Sequence, residues 1–343
     1  MMNPTLPVVD DTGIWDAWMS MLHVPAISAA LELGIFDSLE KEPASIEVLA
    51  ERLGYQLRAI RALLPVLAYL KFLNEYDGSY KLSPLARHYL LENSPYSYAG
   101  VFKREGRMLM RHKLLIEAIT GKKEKHAGQD RPAESWESGQ VDMEMAKEVT
   151  AFMHSHSMAA AVGMTHSVDF SKIKRVLDVG GGSGCFSIAL ANLDKDKSCT
   201  ILELPTICEL ANDYINDAGV AEQVDTTSID MFREPWPKGY DAHFFSNIFH
   251  DWSFDTCREL AKSSFDALEP GGKILLHEML LHDGGKMPYP AITFSLLMTI
   301  GTMGQQFTLP QLREILESAG YINVNSRNSY GYYSIVTGDK PAT

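Results

Sequence analysis

The segment Asp178-Val-Gly-Gly-Gly-Ser-Gly184 places glycines at 180, 182 and 184, with an acidic residue two positions before the first. Glycines let a chain turn tightly and approach a ligand without Cβ clashes. The N–H groups at the start of a following helix then face that ligand. A glycine-rich turn alone does not choose among ligands, because dinucleotide enzymes place G-x-G-x-x-G at the same point. Here Cys185 stands where that pattern wants its third glycine or alanine. An acidic residue followed by G-x-G-x-G fits S-adenosylmethionine (SAM) better. Glu203, in Glu203-Leu204-Pro205, ends the next strand, where a carboxylate accepts hydrogen bonds from both ribose hydroxyls. Asp230-Met231-Phe232 follows the third strand: Asp230 is placed for the adenine amino group, Met231 or Phe232 for the ring face.

A second group follows the fourth strand, in Ser246-Asn-Ile-Phe-His250-Asp-Trp252. A histidine there can take a proton from a substrate hydroxyl, because its ordinary pKa lies near neutrality. Methyl transfer from a sulfonium to oxygen needs such a base and in-line placement, and little else. Glu278, ending the fifth strand, is placed to orient the His250 imidazole. A rival use of these residues is a two-His, one-carboxylate metal site from His250, Asp251 and His154 or His156. Adjacent residues rarely point the same way, however, and spacing does not anchor the third ligand; the expectation is no metal.

Both groups need a parallel sheet beneath them. From Lys174 onward strands and helices alternate: strands at 175–179, 200–203, 224–229, 243–246 and 273–281, helices at 183–193, 254–268 and 309–319, and closing strands at Val324 and 332–337. This predicts a doubly wound α/β sheet with helices on both faces, ligands meeting the carboxyl ends of its strands. Upstream, helices are expected over Ile14–Leu33, with Gly34 to cap it, from Ser45 to Gly54, and over Leu57–Leu70. Phe72–Tyr76 and Tyr80–Leu82 flank Asp77-Gly78, a hairpin signal that completes a winged-helix pattern. Residues 105–166 read as irregular helix with a polar connecting loop over 121–140, followed by an apolar helix over Ala151–Gly163.

A winged helix raises DNA binding, yet the third helix offers only Gln56, Arg58 and Arg61 for base edges among mostly apolar positions. The 343 residues carry a net charge of −13, whereas nucleic-acid enzymes present a basic footprint. Membrane spanning is not expected, since no run approaches about 20 apolar residues. The four cysteines show no C-x-x-C spacing. These features point to a cytoplasmic protein acting on an uncharged or weakly charged small molecule.

Taken in order, Asp178–Gly184, Glu203-Leu-Pro205, Asp230-Met-Phe232, His250-Asp-Trp252 and Glu269-Pro-Gly-Gly-Lys273 resemble the SAM-dependent O-methyltransferases that include plant caffeate and flavonoid enzymes and bacterial polyketide and acetylserotonin-type enzymes. The resemblance implies a Rossmann-like SAM-binding catalytic domain over 166–343. Ahead of it come a mainly α-helical winged-helix dimerisation domain over 1–105 and connecting helices over 106–165 that contribute to the substrate pocket. It further implies a homodimer, His250 as general base and Glu278 as its supporting glutamate. Three departures stand out: Glu203 replaces the usual Asp, Ser246 stands where plant members often carry Lys near the cofactor, and Gln306 takes the place of a second catalytic glutamate.

The expected reaction is O-methylation of a small aromatic or polyketide-like metabolite. C-methylation of an activated carbon or 2-oxo acid, non-methylating SAM chemistry, NAD-dependent redox chemistry and DNA binding are the alternatives. Acceptor-side candidates are Phe152, Met153, Met158, Phe249, Asp251, Phe294, Met298 and Met303, a set suited to a flat apolar molecule because Met adapts to irregular shapes.

Overall fold

The computed structural model describes residues 6–94, 96–122, 141–282 and 287–342. The polar stretch read as a connecting loop lies outside them from residue 123 to 140. The chain forms two compact units: residues 1–12, 131–280 and 307–343 make the first, residues 13–130 and 281–306 the second.

The second unit begins with α1 (Thr12–Met19), a 3-10 turn (Ser20–Leu22) and α2 (His23–Glu32). One helix was expected here. Pro25 explains the break: without an N–H it cannot extend the ladder from the preceding turn, so the chain tightens and restarts. Next come α3 (Ile35–Lys41), α4 (Ile46–Leu53), α5 (Leu57–Tyr69), β1 (Leu73–Tyr76) and β2 (Ser79–Leu82). Ser45 caps α4 by accepting from the Val48 N–H, and Gly54 closes it at φ +67°. Asp77 and Gly78 both take positive φ, as a two-residue turn between antiparallel strands demands. Helices α6 (Pro84–Tyr89), α7 (Ala99–Arg107) and α8 (Met110–Thr120) complete the N-terminal part.

The apolar α5 does not present a reading face for DNA. Arg58 donates to the carbonyls of Thr299, Thr302 and Gly304, and Arg61 pairs with Glu47. Those carbonyls end the helix Tyr289–Gly301, nearly all of which is buried against α5 and α8. A helix apolar all round must be enclosed. This one leaves the sequence of the sheet to be enclosed in the second unit, an excursion with no signal in strand–helix alternation.

The first unit opens its described part with α9 (Met143–Ser167), a 25-residue helix capped by Asp142, of which the expected Ala151–Gly163 is the middle. There follow β3 (Arg175–Val179), α10 (Cys185–Leu193), β4 (Ser198–Glu203), α11 (Pro205–Ala218), β5 (Val224–Ser228), β6 (Ala242–Ser246), a 3-10 turn (Phe249–Asp251), α12 (Phe254–Ala267) and β7 (Lys273–Glu278). After α13 (Tyr289–Gly301) in the second unit, the chain returns as α14 (Leu309–Ala319), β8 (Ile322–Asn328) and β9 (Ser334–Asp339).

The seven strands run in the order β5-β4-β3-β6-β7-β9-β8. The first five are parallel; β9 is antiparallel to β7 and β8 to β9. Alternate residues face opposite sides. Leu177, Phe245, Ile274 and Leu276 pack with Leu260 and Leu316 of α12 and α14. Phe244 meets Phe186 of α10 on the other side, ring centroids 5.2 Å apart. The strand order reverses between β3 and β6, which opens a crevice at their carboxyl ends. Among the described residues, no single helix is long and apolar enough to cross a membrane.

Candidate active site

The loop after β3 turns on three glycines in the left-handed region, Gly180 at φ +67°, Gly182 at +56° and Gly184 at +74°. A Cβ on Gly180 would lie 2.5 Å from Ile248 Cδ1, and one on Gly184 2.4 Å from Ile201 Cδ1. Above Gly182, by contrast, nothing lies within 4 Å, so its backbone faces open space. Asp178 sits buried beneath the loop, accepting from Ser187 Oγ at 2.7 Å, and burial pushes its carboxyl up to about 6. The same burial pushes the Cys185 thiol up to about 12, which makes it an inert neutral group.

Glu203 ends β4 and binds two backbone donors, Gly182 N–H at 3.1 Å and Leu204 N–H at 3.0 Å. Burial lifts its pKa to about 7 against the pull of those donors. A carboxylate has about four lone-pair sites, so two remain for ribose hydroxyls. Asp230 caps its own turn through the Phe232 N–H at 3.0 Å and pairs with Arg233 at 2.5 Å. Met231 and Phe232 are partly buried, and Phe232 stands edge-on to Trp252 with ring centroids 4.7 Å apart. The open backbone at Gly182, the spare acceptor capacity of Glu203 and the carboxylate of Asp230 fit an adenosine-type donor. Ser246 does not face that way alone: its hydroxyl is 3.1 Å from His277 Nδ1, and His277 Nε2 is 3.0 Å from Ser329 Oγ.

After β6 the chain passes through Asn247, at φ +56°, into the 3-10 turn that carries His250. Asn247 N–H donates to the His277 carbonyl at 3.2 Å, which anchors the turn to β7. His250 Nδ1 lies 2.9 Å from Glu278 Oε2, with both side chains almost fully buried. A carboxylate can only accept, so this contact favours the tautomer with the proton on Nδ1 and the free lone pair on Nε2. Asp251 Oδ1 is 3.7 Å from Nε2 and keeps 36% of its side chain exposed. Burial works to lower the His250 pKa, but the charges of Glu278 and Asp251 outweigh it and raise the value above the ordinary 6.5. Burial likewise raises Asp251, to about 6.

From α9, His156 stands near enough to His250 for its charge to count; burial first, then that charge, brings its pKa to about 4. Its Nε2 is 3.3 Å from Met153 Sδ, and its ring meets Phe152 edge-on at 5.2 Å. His154, on the same helix, reaches the glycine loop instead. By sequence these two histidines are candidate metal ligands only. Their spacing of two on a helix sends them to different neighbours. Among the described residues no three His, Cys, Asp or Glu side chains group so as to hold a metal ion.

The structure thus brings together His250, Glu278 and Asp251, with Phe152 and Met153 alongside His156. Met158 is half-buried on α9. Phe249 belongs elsewhere: it is fully buried in the sheet core, edge-on to Phe245, about a third of a turn round the 3-10 helix from His250. In the second unit Phe294 packs against Trp15 and Trp18, Met298 is buried and Met303 exposed. Gln306 is buried there too, its N–H donating to Ser295 Oγ at 3.3 Å.

Known proteins share this fold. The O-methyltransferase domain family matches residues 115–322, and the O-methyltransferase dimerisation domain family matches residues 16–92. The chain is similar to 3-hydroxy-5-methyl-1-naphthoate 3-O-methyltransferase of Streptomyces sahachiroi, 31% identical over 340 residues that cover 98% of this chain and 95% of that protein. Two solved structures show the same fold. An O-methyltransferase family 2 protein from Planctomyces limnophilus, in complex with apigenin, has a TM-score of 0.84 at 23% identity, covering 99% of this chain and 100% of that one. Human N-acetylserotonin methyltransferase in complex with SAM has a TM-score of 0.59 at 21% identity over the same shares. Since the domain match spans more than half its residues and a relative 31% identical runs nearly its full length, the chain belongs to the O-methyltransferase family of SAM-dependent enzymes.

Proposed function

We propose that this O-methyltransferase methylates a hydroxyl of a small aromatic or polyketide-like acceptor, with His250 as the general base. The observation that carries the reading is the buried Nδ1–carboxylate contact of 2.9 Å between His250 and Glu278. It fixes the tautomer, aims Nε2 away from the carboxylate and raises basicity. SAM, held by the Gly180–Gly184 loop, Glu203, Leu204, Asp230, Met231 and Phe232, supplies an electrophilic methyl group when bound. The acceptor oxygen forms the new C–O bond as the S–CH₃ bond breaks, and its proton passes to His250 Nε2. Glu278 balances the imidazolium charge that forms. Phe152 and Met153 offer an apolar flank for a flat ring, and Asp251 a polar one. The naphthoate substrate of the Streptomyces relative and the apigenin bound by the Planctomyces protein are molecules of that shape.

A homodimer is part of the same proposal. It is supported by the dimerisation-domain match and by apolar side chains left open on the second unit, Tyr96, Tyr98, Val101 and Met108 at 54–81% exposure. The four cysteines, all buried thiols, suit a reducing compartment such as the cytoplasm.

The test is a panel of hydroxylated bicyclic aromatics incubated with the enzyme and SAM, read by mass spectrometry for one added CH₂ and by NMR for its position. A methyl ether is expected. Methyl groups on ring carbon, or transfer to acceptors with no hydroxyl, would assign the chain to C-methylation instead.

A further inference from the structure

The five residues 180–184 contain one side chain, Ser183, set between glycines at φ +56° and +74°. A turn of this composition has many unbound conformations; beyond its own Gly184 N–H to Gly181 carbonyl bond of 2.8 Å and the Gly180 N–H to Leu202 carbonyl bond of 2.9 Å, side-chain contacts hold it in one. Glu203 supplies one such contact, to Gly182 N–H at 3.1 Å. The second comes from α9. His154 of α9 places Nδ1 2.8 Å from Ser183 Oγ, and Ser183 is 2% exposed. The same imidazole stacks on Tyr214 of α11, ring centroids 4.3 Å apart and planes 24° from parallel.

We infer that His154 is a positioning residue for the cofactor loop, clasping Ser183 from α9 so that the turn is preset in its SAM-receiving shape. This rests on the reading of that loop as the SAM site. His154 is held between the two elements that leave the cofactor strands: Ser183 stands in the loop after β3, and Tyr214 is on the helix after β4. Adjacent residues, 182 and 183, are therefore held by separate elements, one through backbone and one through side chain. Without the clasp, ordering of the turn is left to the incoming ligand, and its affinity falls by that cost. Burial lowers the His154 pKa, so the ring is neutral near pH 7 and serves the hydroxyl as hydrogen-bond partner rather than as a charge.

The experiment is calorimetric titration of the full chain with SAM, beside steady-state kinetics and thermal melts of each variant. His154→Ala should raise the Kd and the KM for SAM about 5-fold, the worth of one part-buried hydrogen bond, with the loss falling on KM rather than kcat. Ser183→Ala should match it, and the double variant should bind no more weakly than either single one. His154→Gln, which keeps a donor and acceptor at similar reach, should restore most of the affinity. A lowered melting temperature with unchanged Kd, or losses that simply add in the double variant, would overturn the inference. Failure of the unaltered protein to bind SAM would overturn the cofactor reading itself, and this inference with it.

Discussion

The two working corners of the α/β unit are built differently. At the end of β3 and β4, the cofactor corner is made of backbone: three left-handed glycines, the N–H groups of Gly182 and Leu204, and a carboxylate that bonds to them. At the end of β6 and β7, the corner proposed to handle the proton is made of side chains, His250 on a short 3-10 turn paired with buried Glu278 at the end of β7. A backbone site is sensitive to added bulk and strain, and a side-chain site to removed charge. Substitutions at the first should therefore disturb binding, and those at the second chemistry.

The largest effect expected is on turnover. His250→Ala should lower kcat by about 10²–10⁴-fold, the range for a general base, while calorimetry finds SAM affinity unchanged. If affinity fell as well, the two corners would be one. Next in size is Gly184→Ala, whose Cβ meets Ile201 and whose φ of +74° costs a substituted residue about 1–2 kcal/mol. It should weaken SAM binding by about tenfold, with kcat recovered at saturating SAM; a lasting loss of kcat would show that the loop also positions the reaction.

Glu278→Gln keeps the shape and removes the charge. Kinetics should show about a tenfold loss in kcat/KM, smaller than removal of the base itself. The pH profile carries the sign. A base works deprotonated, and the His250 pKa is raised, so the wild-type acid limb should lie above 6.5. Without the Glu278 charge, burial pulls the His250 pKa down and the limb should move to lower pH; a limb that stays in place would mean that Glu278 does not set it. The smallest effect is expected at Phe152, which is half-exposed and touches His156 edge-on. Phe152→Ala should raise the acceptor KM by a few-fold, roughly the worth of one aromatic contact, and leave the SAM Kd alone.

The cofactor corner was the more legible in sequence, for the same reason that it is backbone-built. Glycine spacing reports φ directly, and the strand-end positions of Glu203 and Asp230 follow from period and alternation. The nearness of His250 and Glu278 was partly readable because Glu278 ends β7 and His250 follows the neighbouring parallel β6 by four residues; the 3-10 turn that brings the imidazole back to Glu278 was not. What escaped notice depends on neighbours distant in sequence. Ser246 stands at the cofactor side by its place after β6, and its contact with His277, its strand partner in register, carried no signal in the sequence. Phe249 sits one residue before His250 yet is core, since a 3-10 turn rotates successive side chains by about a third of a turn. The excursion of α13 carried no signal beyond its apolar composition, which suits burial in either unit. His154 was hidden because a lone helix histidine shows no partner until the glycine loop is folded against it.

The central claim is that His250 removes the hydroxyl proton as the methyl group moves. It is tested most directly by the ratio of wild-type to His250→Ala rates across aromatic acceptors of falling hydroxyl pKa, at one pH. The ratio should be large for ordinary phenols, whose pKa is about 10 as for tyrosine, and should collapse toward one for acceptors already ionised at the assay pH. A ratio that stays constant along the series would contradict a general-base role for His250.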